Sequence, residues 1–149
     1  MIECPYFILA RRAIIDARSS QLSVVDVVDG LNFSSNVHKL KLEEGKHKSL
    51  LVPLDPVVEM IVGVRRSEDI EPGIYPLELA AFLPDGAEGM DRHTIQANLT
   101  GGDVTRVLVT LKSLAIREDG IYRFSALEPE TERVLQTASM IVRFVDADN

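Results

Sequence analysis

Apolar residues along this 149-residue chain gather into runs of strand length, each closed by turn-forming residues. The runs lie at 6–15, 22–33, 57–64, 74–83, 94–99, 104–116, 121–127 and 134–145. Between them stand Asp16-Ala17-Arg18-Ser19-Ser20, Pro84-Asp85-Gly86 and Gly101-Gly102-Asp103. Asp, Ser, Gly and Pro favour turns because they accept unusual φ values, preset φ, or hydrogen-bond their own backbone. Short strands at this spacing predict a sandwich or barrel. Two runs alternate cleanly: Ile95, Ala97 and Leu99 against Thr94, Gln96 and Asn98, and Val107, Val109 and Leu111 against Arg106, Thr110 and Lys112. A period of two sends these sets to opposite faces, so each strand has one dry and one wet side. Val24-Val25-Asp26-Val27-Val28 adds a β-branched run, stiff at χ1 and better suited to a strand than to a helix.

Two stretches leave room for a helix. Residues 107–116 also fit a helical stripe, because Val107, Leu108, Leu111, Leu114 and Ala115 share one face at 3.6 residues per turn. Glycines before this stretch and Asp119-Gly120 after it favour a strand in a meander. Between positions 34 and 48, Glu43, Glu44 and the lysines tolerate a short helix, whereas Lys39-Leu40-Lys41-Leu42 alternates like an edge strand.

A corner motif narrows the architecture. Glu118-Asp119-Gly120-Ile121-Tyr122-Arg123-Phe124 resembles the corner of immunoglobulin-like sandwiches, where a tyrosine hydroxyl bonds back to the backbone and locks the turn into a late strand. Glu118, Gly120 and Tyr122 are its structural residues. Phe124 stands where an antibody domain has its second cysteine, and the chain has no tryptophan, so an antibody-type domain is not expected. Glu71-Pro72-Gly73-Ile74-Tyr75 echoes the motif, and two copies are too few for a tandem repeat. End to end, through Tyr6-Phe7-Ile8-Leu9-Ala10, Asp16, Gln21-Leu22-Ser23-Val24-Val25-Asp26 and Gly120-Ile121-Tyr122-Arg123-Phe124, the chain resembles a family of small, uncharacterised bacterial β-sandwich proteins. That resemblance implies a fold and no activity. The expectation is one all-β domain over 1–149, an antiparallel immunoglobulin-like sandwich of about seven to nine strands, with room for one short helix.

Composition and charge then limit the function classes. Apolar residues make up 46% of the chain, enough to sustain a packed core. The net charge of −7 opposes attraction to phosphate backbones and anionic membrane surfaces, so neither nucleic acid nor membrane is an expected partner. Cys4 is the one cysteine, which excludes an internal disulfide; beside Pro5, with no nearby His, it is a poor nucleophile. The opening segment places Glu3 before a short apolar run ending in Arg11-Arg12, the wrong order for a signal peptide, and the expected compartment is the cytoplasm.

Candidate chemistry is sparse. No Gly-x-Ser-x-Gly elbow, phosphate-binding glycine loop or His-Glu-x-x-His motif is present, so no catalytic residues and no cofactor are expected. His38, His47 and His93 are too scattered in sequence to suggest zinc. Asp85, Glu88 and Asp91, in a loop with Gly86 and Gly89, offer clustered oxygen ligands of the kind calcium takes, as do Asp146 and Asp148. Glu59 and Asp26 are carboxylates among valines, expected to be structural or exposed. The preferred expectation is a non-catalytic binding or scaffolding module presenting a sheet edge or face to a protein partner, at the strand 37–42 and the following loop, with Lys39, Lys41, Lys46 and Lys48 as contact residues. The alternative is an enzyme or small-ligand protein with a loop-end pocket near 85–91. Self-association through an exposed edge is the third.

Overall fold

The computed structural model describes residues 1–16, 18–19, 21–34 and 50–145, and among them every regular element is a strand. There are nine: β1 (Ile2–Ile15), β2 (Leu22–Val27), β3 (Gly30–Ser34), β4 (Leu50–Arg66), β5 (Ile74–Phe82), β6 (His93–Asn98), β7 (Val104–Ile116), β8 (Gly120–Leu127) and β9 (Val134–Val145). They form two sheets, one ordered β2-β1-β4-β7 and the other β3-β9-β8-β5-β6. The chain is therefore an all-β sandwich. Every pairing is antiparallel except that of β3 with β9, which is parallel, so the sandwich is mixed rather than purely antiparallel.

Period-two alternation decides the faces. In the first sheet Phe7 lies opposite Val62 and Val62 opposite Val107, while Leu9, Met60 and Val109 line up in the next row. In the second, Leu79 faces Ala126, Ala81 faces Phe124 and Tyr122 faces Met140. These rows close on one another as the core, joined by Leu77, Ile95, Leu99, Leu114 and Val142, all buried. Burying each such aliphatic side chain contributes about 1.5–3 kcal/mol against leaving it in water. The stretch 107–116 is strand, because its partner β4 pairs with it from Arg65↔Val104 to Leu50↔Ile116 and an extended backbone alone satisfies that ladder.

Two boundaries differ from the sequence reading. The run 22–33 is two strands in different sheets, divided at Val28-Asp29; Asp26 adopts a positive φ of 55°, a conformation Asp tolerates better than most residues. The run 57–64 belongs to a longer strand that begins at Leu50 and passes through Pro53 and Pro56; the ladder with β7 shifts register between Pro53 and Val58, around a cis Asp55-Pro56 bond. Pro53 and Pro56 thus occupy an irregularity inside one strand.

The corner expected at Tyr122 is present. Its buried hydroxyl donates to the Glu118 carbonyl at 2.7 Å and accepts from the Arg117 and Glu118 amides at 3.0 and 3.2 Å. Gly120 has φ +144°, and a Cβ there would sit 2.9 Å from Pro84 Cβ, so glycine is required. The echo is also structural: the Tyr75 hydroxyl donates to the carbonyl of Glu71, again four residues back. Because β5 and β8 pair antiparallel, the two tyrosines enter neighbouring strands from opposite ends of one sheet.

Candidate functional site

The sheet order creates four outer strands among the described residues: β2 and β7 in one sheet, β3 and β6 in the other. Three of them have five or six residues. The fourth, β7, has thirteen and contains no proline, and its described neighbour is β4 alone. An outer strand of that length offers a row of backbone donors and acceptors to an added strand. Its outward row is Arg106, Leu108, Thr110 and Lys112; Leu108 and Lys112 are exposed, and Thr110 donates its hydroxyl to the Glu59 carboxylate at 3.0 Å.

Beside the middle of β7 the seam between the sheets is open. β6 pairs with β5 from Ile74↔Asn98 to Leu79↔His93 and stops, leaving residues 80–82 of β5 without it. The chain there folds back on itself instead, with the Gly89 amide donating to the Ala81 carbonyl at 3.0 Å. Between this point and residues 109–113 of β7 lies a crevice of about 340 Å³. Its walls include Met60, Leu79, Met90, Val109, Leu111 and Phe124, and Asp91, His93, Lys112 and Ser113 also line it. Apolar walls with a few polar groups suit an apolar side chain or a small molecule. A second, more open hollow of about 740 Å³ lies at another part of the surface, among Ile2, Ile70, Tyr75, Pro76, Thr131 and Arg133.

The three loop carboxylates expected to cluster are not brought together. Asp85 pairs with Arg117 and accepts the Ala87 amide at 3.0 Å, which makes it a turn anchor. Glu88 grips Arg92 at 2.6 Å, and that guanidinium holds its carboxyl below the usual glutamate range. Asp91 lines the crevice. Among the described residues no group of three or more His, Cys, Asp or Glu side chains is arranged to hold a metal. Arg92 instead collects three carboxylates: Glu88, Glu78 of β5 at 3.1 Å and Glu132 of the β8–β9 turn at 2.5 Å. Hydrogen bonds to all three, Glu88 foremost, push the arginine further above its ordinary range. This hub ties the β5–β6 loop to the turn after β8. Glu88 and Arg92 are four positions apart, but Glu78 and Glu132 lie 14 and 40 positions from Arg92, so spacing alone did not announce the hub.

Other candidates resolve plainly. Lys39, Lys41, Lys46 and Lys48, the strand 37–42, His38, His47, Asp146 and Asp148 lie outside the described residues. Glu59 sits on the outer face of the first sheet with Thr110. Asp26 is exposed on β2. Cys4 is buried, and burial pushes its thiol up to about 11, so it is protonated at neutral pH. The alternative expectation from sequence is a pocket near 85–91; Met90 and Asp91 of that loop line the crevice, whose other walls come from β4, β5, β6, β7 and β8 and were not anticipated.

No family model matches the chain, and no curated protein matches it. Among solved structures, the chain is similar to an immunoglobulin-like protein from Pseudomonas aeruginosa, at 13% identity over 96% of this chain and 97% of that one, with a TM-score of 0.42. At that level of agreement the sandwich rests on this chain's own strands and pairings.

Proposed function

We propose that this sandwich is a non-catalytic binding module that takes up an extended segment of a protein partner along the outer edge of β7. The observation that carries the reading is the thirteen-residue, proline-free strand whose described neighbour is β4 alone, beside an open apolar seam. An added strand would find main-chain donors and acceptors along β7, and its inward side chains would find the crevice. The edge first expected, at 37–42, gives way to β7 as the basis of this reading. A second reading, a small apolar ligand held in the crevice alone, draws on its volume, which is within the range of ligand pockets.

The test is amide mapping of the full chain by NMR while a library of extended dodecapeptides is screened against it. Binding that slows hydrogen exchange at alternate amides of β7 supports strand uptake. Peptide binding that leaves the amides of β7 unprotected sinks it, and uptake of small apolar compounds with perturbation confined to Met60, Met90 and Phe124 favours the ligand reading instead.

A further inference from the structure

β7 is open over only part of its length. Up to Lys112 its residues are exposed or half-buried apart from Leu111, whereas Leu114, Ala115 and Ile116 are all buried, so the far end of the strand is covered on both faces. The midpoint of the open stretch 104–112 is Leu108. The outward row of that stretch is Val104, Arg106, Leu108, Thr110 and Lys112, and the inward row is Thr105, Val107, Val109 and Leu111. Within the sheet Leu108 stands opposite Ile61 and Ile61 opposite Ile8, so an apolar row crosses the outer face and stops at the β7 edge. Ile61, flanked on both sides, is fully buried, while Leu108, with a described neighbour strand on one side, is 37% exposed.

Resting on the edge reading above, we infer that the segment β7 accepts is β7 of a second copy of this chain, paired antiparallel about a two-fold axis at Leu108. Opposed residues of a continuous sheet share a face, so such an axis passes through a residue and not between two. At Leu108 it overlaps the open stretch 104–112 completely with itself. Leu108 meets its own counterpart, Val107 meets Val109, and Thr105 meets Leu111, so the inward residues of each copy stand beside the crevice walls of the other. The row of Ile8, Ile61 and Leu108 then runs unbroken from one copy into the next. Lys112 lies opposite Val104, and Arg106, already engaged within its own chain, lies opposite Thr110, so no charge faces a like charge. Neighbouring axes fit worse. At Val109 the pairing sets Arg106 opposite Lys112, and like charges directly opposite destabilise a strand pair. At Thr110 it draws in the covered end of the strand, and at Val107 it sets Leu108 against Arg106. An edge that matches itself in one register is what an isologous interface requires.

Sedimentation equilibrium of the full chain over a dilution series, with hydrogen exchange of the β7 amides followed at each concentration, tests this. The expected result is a monomer–dimer equilibrium in which protection within 104–112 rises with the dimer fraction. Leu108→Lys and Leu108→Glu change an exposed side chain, and each alone should weaken the dimer about tenfold, because the axis sets two like charges side by side and removes an apolar contact. Mixed in equal amounts, the two variants should recover the association as a heterodimer, which an axis at position 108 alone provides. A parent chain that stays monomeric throughout, or dimerises with β7 unprotected, overturns the second copy as occupant. The edge reading then stands if the dodecapeptides protect β7 and falls as well if they do not. A β7-protected dimer that both variants leave unchanged, or that mixing fails to restore, overturns the axis at Leu108.

Discussion

At position 122 one phenolic oxygen serves three backbone groups, accepting two amides and donating to a carbonyl in the turn that precedes β8. Removing it leaves those groups partly buried without partners, a cost of about 1–3 kcal/mol. Tyr122→Phe should therefore lower the urea midpoint clearly. Tyr75→Phe, which deletes a single bond at a half-exposed site, should cost only about 0.5–1.5 kcal/mol. Equal losses would mean that the second corner carries as much as the first. Cys4 supplies a different measurement. Its thiol is buried with its pKa pushed up to about 11, so iodoacetamide at pH 8 should label it at the rate of unfolding and not at that of a free cysteine. Rapid labelling of the folded chain would show that β1 opens locally at its start.

Loops here are held by ion pairs as much as by turns. Arg92 fastens the β5–β6 loop to β5 itself and to the turn after β8, and it holds the Glu88 carboxyl below its ordinary range of about 4.5. A carboxyl lowered in the folded state stabilises it above the unfolded value, and that contribution is lost as pH falls through the folded value. Thermal melts at pH 7 and pH 3 should show a smaller acid-induced drop in Glu88→Gln than in the parent; an identical drop would mean that the hub contributes nothing to acid sensitivity. The strands themselves were readable from residue alternation, and β6, β7, β8 and β9 stand where their apolar runs lie. What alternation did not reveal was non-local. Val28-Asp29 separates two strands only because β3 finds β9 more than a hundred residues away, and β4 crosses Pro53 and Pro56 because β7 keeps pairing on either side of them. The same limit applies to the site. The inward and outward rows of β7 are legible in residues 106–112, yet its place at an outer edge depends on the sheet order, and the crevice depends on where β6 stops.

Across the whole molecule, the first sheet ends in a strand long enough to recruit another, and Lys112 is the exposed charge on its outward row. Charged residues on an outer strand discourage indiscriminate pairing between copies. Lys112→Val should therefore raise light scattering at concentrations where the parent stays dispersed, with little change in unfolding temperature. Unchanged scattering would show that β7 is guarded by something other than charge. The parallel pairing of β3 with β9 sets a different constraint, on assembly during synthesis. Residues 30–34 leave the ribosome early, yet the strand they hydrogen-bond, 141–145, emerges after every other described strand. Until then β3 has no described partner to cover its backbone, so a nascent chain stalled before position 134 would carry an unfinished second sheet, a natural handhold for chaperones.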